Sequence, residues 1–156
     1  MMALFVGVDP GKNGGIAILD QNGVVLRSER MPDADADLLE ILLWPSHEAP
    51  LIPGRAVIEK VASSPQMGVA SAFSFGMQFG RCCMALTAAR LPFDMVNART
   101  WQRRLDCFSE GDKRVTRARA LQLFPSTKVT HYIADALLLA EYGRRESLGE
   151  RSTLYG

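Results

Sequence analysis

Three carboxylates in this sequence stand where a strand ends or a helix begins, and apolar residues surround each of them. Asp9 closes an apolar run at residues 4–8, Glu59 closes a shorter one, and Asp135 lies within a longer one. An ionised carboxylate is rarely buried unless it is paired with a cation or bound to a metal. The three positions therefore predict one acidic site that holds a hard cation.

The predicted elements show how these carboxylates could meet. The predicted strands cover residues 4–9, 16–19, 24–30, 55–59 and 93–97, and the first three form an antiparallel meander through the Asp20–Gly23 hairpin. The predicted helices cover residues 32–44, 69–90, 98–105, 113–124 and 130–142, the last capped by Thr130 and ended by Gly143. This pattern indicates an α/β fold, a mixed five-stranded sheet of meander and parallel strands flanked by helices.

In such a sheet the first and fourth strands can lie side by side, so that Asp9 and Glu59 emerge at the same edge. Asp135 joins them if its helix crosses that edge. Three carboxylates at one point repel one another and raise one another's pKa values. Magnesium removes this repulsion, because it takes oxygen ligands and also binds substrate phosphates.

Composition predicts one globular domain over residues 1–145, with a polar tail at 146–156. Of the 156 residues, 47% are hydrophobic and 22% are charged. No apolar run approaches the roughly 20 residues of a membrane helix, and the N-terminus lacks the pattern of a signal peptide. The three cysteines, an odd number without metal-binding spacing, are expected to be reduced in the cytoplasm.

Charge is distributed unevenly along the chain. Residues 98–128 contain eight Lys and Arg against three Asp and Glu, a local charge of +5, whereas residues 1–60 carry −4. A basic segment beside an acidic metal site is typical of proteins that act on a polyanion. A solvated helix face is the alternative interpretation of the same residues.

The motifs resemble, in order and spacing, those of RuvC-type Holliday junction resolvases, and in particular the RuvC-like nucleases of phage and proteobacteria. The first is Gly7–Ala17, which contains Asp9-Pro10-Gly11; the second is Val57–Glu59; the third joins His131 to Asp135–Ala140. The segments 73–80, 97–101 and 123–125 add to the resemblance, which spans roughly residues 3–145.

The resemblance implies an RNase H-like fold and a homodimer formed through the 69–90 helix. It also implies cleavage of four-way DNA junctions by paired symmetric nicks that leave a 5′-phosphate and a 3′-hydroxyl. Two magnesium ions per site, replaceable by manganese, would be held by Asp9, Glu59, Asp135 and His131. His131 could instead transfer protons. Its spacing of four from Asp135 predicts that both lie on one helix face.

The basic segment supplies the predicted DNA contacts, with Lys113 first. The other predicted contacts are Lys12, Arg103, Arg104, Arg114 and Arg117. Trp101 is predicted to pack in the core. The 69–90 helix carries apolar residues on more than one face, so it is predicted to be buried on several sides, as a core helix or as the dimer interface.

One departure from the family pattern leaves the substrate open. Resolvases of this type carry an aromatic residue shortly after the second-motif glutamate, but here Lys60-Val61-Ala62 follow Glu59. A less selective nuclease for flaps, forks, three-way junctions or RNA–DNA hybrids is therefore an alternative. A non-catalytic DNA-binding module is a remote one. A sugar kinase or actin-type ATPase would need a longer chain and a second phosphate motif.

Overall fold

The computed structural model describes residues 3–48 and 54–149, and within them a five-stranded mixed sheet in the order β3-β2-β1-β4-β5. The strands are β1 (Leu4–Asp9), β2 (Gly15–Asp20), β3 (Val25–Arg30), β4 (Arg55–Glu59) and β5 (Phe93–Val96). Strands β1 to β3 form an antiparallel meander, β4 pairs in parallel with β1, and β5 pairs in parallel with β4. The predicted mixed sheet is confirmed. Parts of the predicted 46–54 connection and of the predicted tail, residues 49–53 and 150–156, lie outside the described residues.

Helices cover both faces of the sheet. They are α1 (Asp35–Glu48), α2 (Val69–Ala88), α3 (Ala98–Arg104), α4 (Lys113–Leu123) and α5 (Ala134–Leu148). Apolar side chains of alternate strand residues fill two core layers, one beneath α1 and α2 and the other beneath α3, α4 and α5. Among the residues that the structure describes, none of the helices has the length and apolar character needed to cross a membrane.

The last helix differs from its prediction at both ends. It begins at Ala134, and Thr130 contributes its backbone carbonyl, which accepts the amides of Ile133 and Ala134 at 3.3 and 3.1 Å. The predicted end at Gly143 is also wrong, because the helix continues to Leu148 and ends at Gly149, whose φ is 68°. Gly143 is a packing position: a Cβ there would lie 2.9 Å from Val57 Cγ2. Residues 146–148 of the predicted tail therefore belong to the helix.

The first helix also differs from its predicted range. It begins at Asp35 rather than near residue 32, and it continues past Trp44 to Glu48 with Pro45 inside it. Proline removes one backbone donor from a helix. The Ser46 hydroxyl donates to the Leu43 carbonyl at 2.7 Å, which adds a local hydrogen bond at this point.

The prediction that α2 is buried on several sides is wrong for the single chain. Only Cys82, Ala85 and Leu86 of this helix are buried. Its N-terminal half packs little against the described chain, so Phe73 is 70% exposed and Met77 61%. A large apolar surface on α2 is thus left in solvent.

Helix α5 lies directly on the backbone of β1. A Cβ at Gly7 would lie 2.0 Å from the Ala136 carbonyl oxygen and 2.4 Å from the Ala140 amide nitrogen. Such distances leave no room for any side chain at residue 7. The small residues at these three positions therefore set the separation of the helix from the strand.

This contact predicts a strong effect of one methyl group. Gly7→Ala forces α5 away from β1, and we expect it to lower the free energy of unfolding by about 3 kcal/mol or more, because backbone atoms must move. Gly68→Ala is the control, since no atom lies within 4 Å of the added Cβ and Gly68, the residue before α2, has a φ of −61° that alanine adopts; we expect it to cost less than about 1 kcal/mol. Urea unfolding of both variants measures the difference; equal stability would contradict the contact.

Candidate active site

Asp9, Glu59 and Asp135 line one cavity of about 610 Å³. Val8 pairs with Ile58 in the parallel ladder, which places Asp9 and Glu59 side by side at the ends of β1 and β4. Residues two apart on a strand share a face, so Asp9 points to the same side as Gly7. Asp135 is in the first turn of α5, next to the Ala136 carbonyl that contacts Gly7. The packing of α5 on β1 thus brings the three carboxylates together.

Most of the other residues that line the cavity are polar or basic. The loop after β1 contributes Gly11–Gly14, and α2 contributes Ser74, Phe75 and Gln78. The remaining polar and charged side chains come from α4 and from the turn before α5: Lys113, Arg114, Thr116, Arg117 and His131. Acidic residues at the strand ends and basic residues around them give the cavity two regions of opposite charge.

Burial and mutual repulsion shift the pKa values of these acids. Burial first, and then the charges of Asp135 and Glu59, raise the pKa of Asp9 from its ordinary 3.8 to about 7. Lys113 and the Gly11 amide act in the opposite direction without cancelling this. Burial is also the largest cause that raises the pKa of Glu59, against a hydrogen bond from Trp101 that lowers it. The site therefore brings together carboxylates whose ionised forms are disfavoured by burial and by one another.

Two side chains hold these carboxylates in place. The Lys113 ammonium donates to Asp135 Oδ2 at 2.6 Å, although the lysine side chain is 78% exposed. The Trp101 indole Nε1–H donates to Glu59 Oε2 at 2.7 Å. The second oxygen of Asp135, Oδ1, is buried and has no hydrogen-bond partner among the described residues. A buried carboxylate oxygen of this kind is one that a bound cation would satisfy.

The donor set fits a hard divalent cation. Within residues 3–48 and 54–149 no three His, Cys, Asp or Glu side chains are grouped tightly enough to form a metal centre as they stand. The three acids nevertheless supply only oxygen ligands, which magnesium prefers. The buried Oδ1 of Asp135 and the raised pKa of Asp9 both reflect negative charge that lacks compensation. Asp9, Glu59 and Asp135 are therefore the residues that could hold the ion.

His131 lines the cavity but is not on the helix. It lies in the turn at residues 131–133, before α5 begins, so the prediction that it shares a helix face with Asp135 is wrong. The turn forms because Thr130 accepts two backbone amides in succession. The exposed imidazole lies against the Tyr132 ring, with centroids 3.8 Å apart and ring planes tilted by 38°, and the Arg30 guanidinium lies 4.1 Å from the centre of the Tyr132 ring.

Of the six predicted DNA contacts, the structure brings four to the cavity: Lys12, Lys113, Arg114 and Arg117. Arg103 lies elsewhere, with its guanidinium 4.9 Å from the centre of the Phe108 ring. Arg104 pairs with Glu146 of α5 at 2.6 Å, so it ties α3 to α5.

The sequence prediction missed the role of Trp101, which it assigned to the core alone. The indole is fully buried, as predicted, but its N–H reaches Glu59. The two residues are 42 positions apart, so no local motif joins them. Phe75 and Gln78 were also missed as cavity residues, because the sequence does not show which side of α2 faces the site.

Comparison with known proteins supports the fold. No protein-family model and no curated protein matches the chain. Among solved structures, the chain is similar to RuvC of T. thermophilus in complex with a Holliday junction substrate, with a TM-score of 0.64 and 16% identity, over 96% of this chain and 97% of that chain. A second T. thermophilus RuvC structure gives a TM-score of 0.62 at the same identity and coverage. The likeness confirms the RNase H-like fold that the motifs predicted.

The raised pKa of Asp9 predicts how stability depends on pH. A folded-state pKa of about 7 against an ordinary 3.8 means that the folded chain holds the proton more tightly than the unfolded chain. This stabilisation is complete below about pH 4 and is lost as the pH rises through 7. In chelator, we expect the wild type to lose up to about 4 kcal/mol more than Asp9→Asn between pH 4 and pH 8.

Urea unfolding of both proteins across this range measures the difference. Magnesium should restore stability to the wild type most at the alkaline end, because the ionised carboxylate binds it. Parallel pH profiles for the two proteins would show that Asp9 titrates normally.

Proposed function

We propose that this chain is a metal-dependent endonuclease that resolves four-way DNA junctions by paired nicks. The observation that carries the proposal is the convergence of Asp9, Glu59 and Asp135 in one cavity with a basic rim. The fold is shared with T. thermophilus RuvC, which has been solved with a Holliday junction substrate. The acidic centre and the basic rim match the two needs of phosphodiester cleavage, a cation site and a phosphate site.

Asp9, Glu59 and Asp135 would hold two magnesium ions, with His131 at the rim as a further ligand or a proton carrier; manganese would substitute. Such ions supply an activated water and stabilise the leaving oxygen, so that the products carry a 5′-phosphate and a 3′-hydroxyl. The chain itself holds Asp9 and Glu59 at the ends of β1 and β4 and Asp135 in the first turn of α5. Lys113 offsets part of their charge through its bond to Asp135 Oδ2.

Four basic side chains around the cavity are suited to bind the DNA backbone. Lys113, at the start of α4, contacts Asp135, and Lys12 lies in the loop that follows Asp9. Arg114 and Arg117 extend the same rim along α4. Arg114 is 91% exposed, and its ion pair with Asp112 stabilises little in water. It can therefore exchange this partner for a phosphate. Binding through these charges should weaken steeply with salt.

The exposed apolar side of α2 supports a homodimer. Val69, Phe73, Met77 and Met84 are 89, 70, 61 and 64% exposed, and their spacing of four, four and seven places them on one side of the helix. Nothing lies within 4 Å of a Cβ at Gly76 or Gly80, so a second helix could approach closely there. A two-fold dimer would present two sites to a junction, as paired nicks require.

A less selective branched-DNA nuclease, or a nuclease for RNA–DNA hybrids, is the second candidate, and the position after Glu59 favours it. Resolvases of this type carry an aromatic shortly after this glutamate, whereas here Lys60-Val61-Ala62 follow it and Val61 lines the cavity. The aromatic residue that lines this cavity is Phe75, which comes from α2. Selectivity for four-way junctions would then have a different structural basis or be weaker. A non-catalytic module is disfavoured because all three acids are present and line one cavity.

The proposal predicts how cleavage changes when one carboxylate of the site is replaced by an amide. Asp9→Asn removes a charged ligand, and we expect magnesium-dependent cleavage of a mobile four-way junction to fall by about 10³-fold or more while junction binding is retained. Asp94→Asn is the matched control, because Asp94 is exposed and pairs with Arg55 away from the cavity. It should cleave at the wild-type rate. If Asp9→Asn cleaved at the wild-type rate, the assignment of the metal site would be wrong.

Mapping the cuts on all four strands separates the two candidates. Paired cuts at symmetric positions on opposite strands support a resolvase. Equal rates on flap, three-way and hybrid substrates would support the second candidate instead.

The dimer proposal predicts the effect of one charge on α2. Met77→Glu places a carboxylate in the apolar stripe, so we expect a monomer in light scattering and loss of coordinated cutting, with little change in the stability of the single chain. Leu121→Glu is the control, since Leu121 is 47% exposed on the helix α4. This variant should remain dimeric. A Met77→Glu protein with the wild-type mass in solution would place the interface elsewhere.

A further inference from the structure

Trp101 connects the hydrophobic core to the cavity. It belongs to α3, its side chain is fully buried, and it packs in the core layer that also contains Leu105, Leu137 and Val57. Its indole nitrogen donates to Glu59 Oε2 at 2.7 Å. The same side chain therefore fills the core and contacts a carboxylate of the site.

The donor is held in place from several directions. Asn97 caps α3, because its side-chain oxygen accepts both the amide and the hydroxyl of Thr100 at 2.9 Å. The indole ring is enclosed by the side chains of the same core layer that supports α5. A side chain packed in this way has one rotamer and little freedom to move. The position of its N–H is therefore fixed relative to β4 and α5.

The acceptor is the part of Glu59 that needs orientation. Glutamate has three rotatable side-chain bonds, and only its backbone is fixed by the end of β4. Within the described residues the bond from Trp101 is the one hydrogen bond that the Glu59 carboxylate accepts. It occupies Oε2 and leaves Oε1 available in a cavity shared with Asp9 and Asp135. The carboxylate is thus oriented by one donor from one side.

We propose that Trp101 is a positioning residue, whose indole N–H orients the Glu59 carboxylate so that it can bind a divalent cation together with Asp9 and Asp135. The inference rests on the proposed metal-dependent function. Donors that orient a metal-binding carboxylate commonly change metal affinity by about 10–100-fold when they are removed.

The test compares the two tryptophans of the chain. Trp101→Phe keeps an aromatic ring in the core and removes the donor; we expect its affinity for Mn²⁺, measured by calorimetry on the folded protein, to fall by about 10–100-fold. Trp44→Phe makes the same change on α1, where the Trp44 ring is outside the cavity. This variant should bind Mn²⁺ as the wild type does. Circular dichroism at the temperature of the titration shows that each variant is folded.

A second measurement reads the hydrogen bond itself. The chain has two tryptophans, so Trp44→Phe leaves a single indole N–H signal in the proton–nitrogen NMR spectrum. We expect this signal to move upfield when Glu59→Gln replaces the charged acceptor with a neutral one, and to broaden when Mn²⁺ binds nearby. Asp94→Asn, a similar loss of charge outside the cavity, should leave it unchanged.

The outcomes separate this inference from the function on which it rests. A folded Trp101→Phe protein that binds Mn²⁺ as tightly as Trp44→Phe overturns the positioning role alone. The positioning role is also overturned if the indole N–H signal of Trp101 keeps its chemical shift in Glu59→Gln, and this holds even if Trp101→Phe does not fold. If the wild type and Trp44→Phe both fail to bind Mn²⁺, the metal-dependent function is overturned, and the positioning role with it.

Discussion

The contact between α5 and β1 is the constraint on which the site depends. At Gly7 the helix backbone comes so close that a methyl group would overlap it, and at Gly143 a Cβ would lie 2.9 Å from the side chain of Val57 on β4. Two glycines, one on the strand and one on the helix, therefore let α5 lie across the two strands that end in Asp9 and Glu59. Residues two apart on a strand share a face. The contacts at Gly7 and Val57 thus determine the side on which both carboxylates point.

This arrangement places three carboxylates where their negative charges repel one another. Burial and mutual repulsion raise the pKa of Asp9 to about 7, and one oxygen of Asp135 is buried with no partner in the part of the chain that the structure describes. Lys113 and Trp101 each donate a hydrogen bond to one carboxylate oxygen, which reduces the unfavourable electrostatic energy of the site without removing it. A protein retains such an unfavourable energy where function requires it, and the rest of the fold must supply the stability. The two apolar layers on either side of the sheet do so.

The sequence predicted what local patterns and strand pairing determine. Apolar runs bounded by turn residues located all five strands, and the parallel pairing of the first and fourth strands placed Asp9 beside Glu59. The start of α5 was missed, because a turn stabilised by the Thr130 carbonyl carries no side-chain signal. The burial of α2 was overestimated, because its apolar side chains do not show whether a partner chain or the core covers them. Contacts such as Trp101 with Glu59 join distant segments, so only the fold reveals them.

Helix α2 has cavity residues on one side and an exposed apolar stripe on the other. Phe75 and Gln78 line the cavity, while Phe73 and Met77 lie in the exposed apolar stripe. The same turns of the helix therefore contribute to both surfaces. Arg81 of the same helix binds Asp35 and the Pro32 carbonyl, which fixes α2 to the start of α1. A partner chain that covers the stripe would restrict the turns that carry Phe75 and Gln78. Because these residues share a rigid helix, the shape of one wall of the cavity would then depend on the dimer interface.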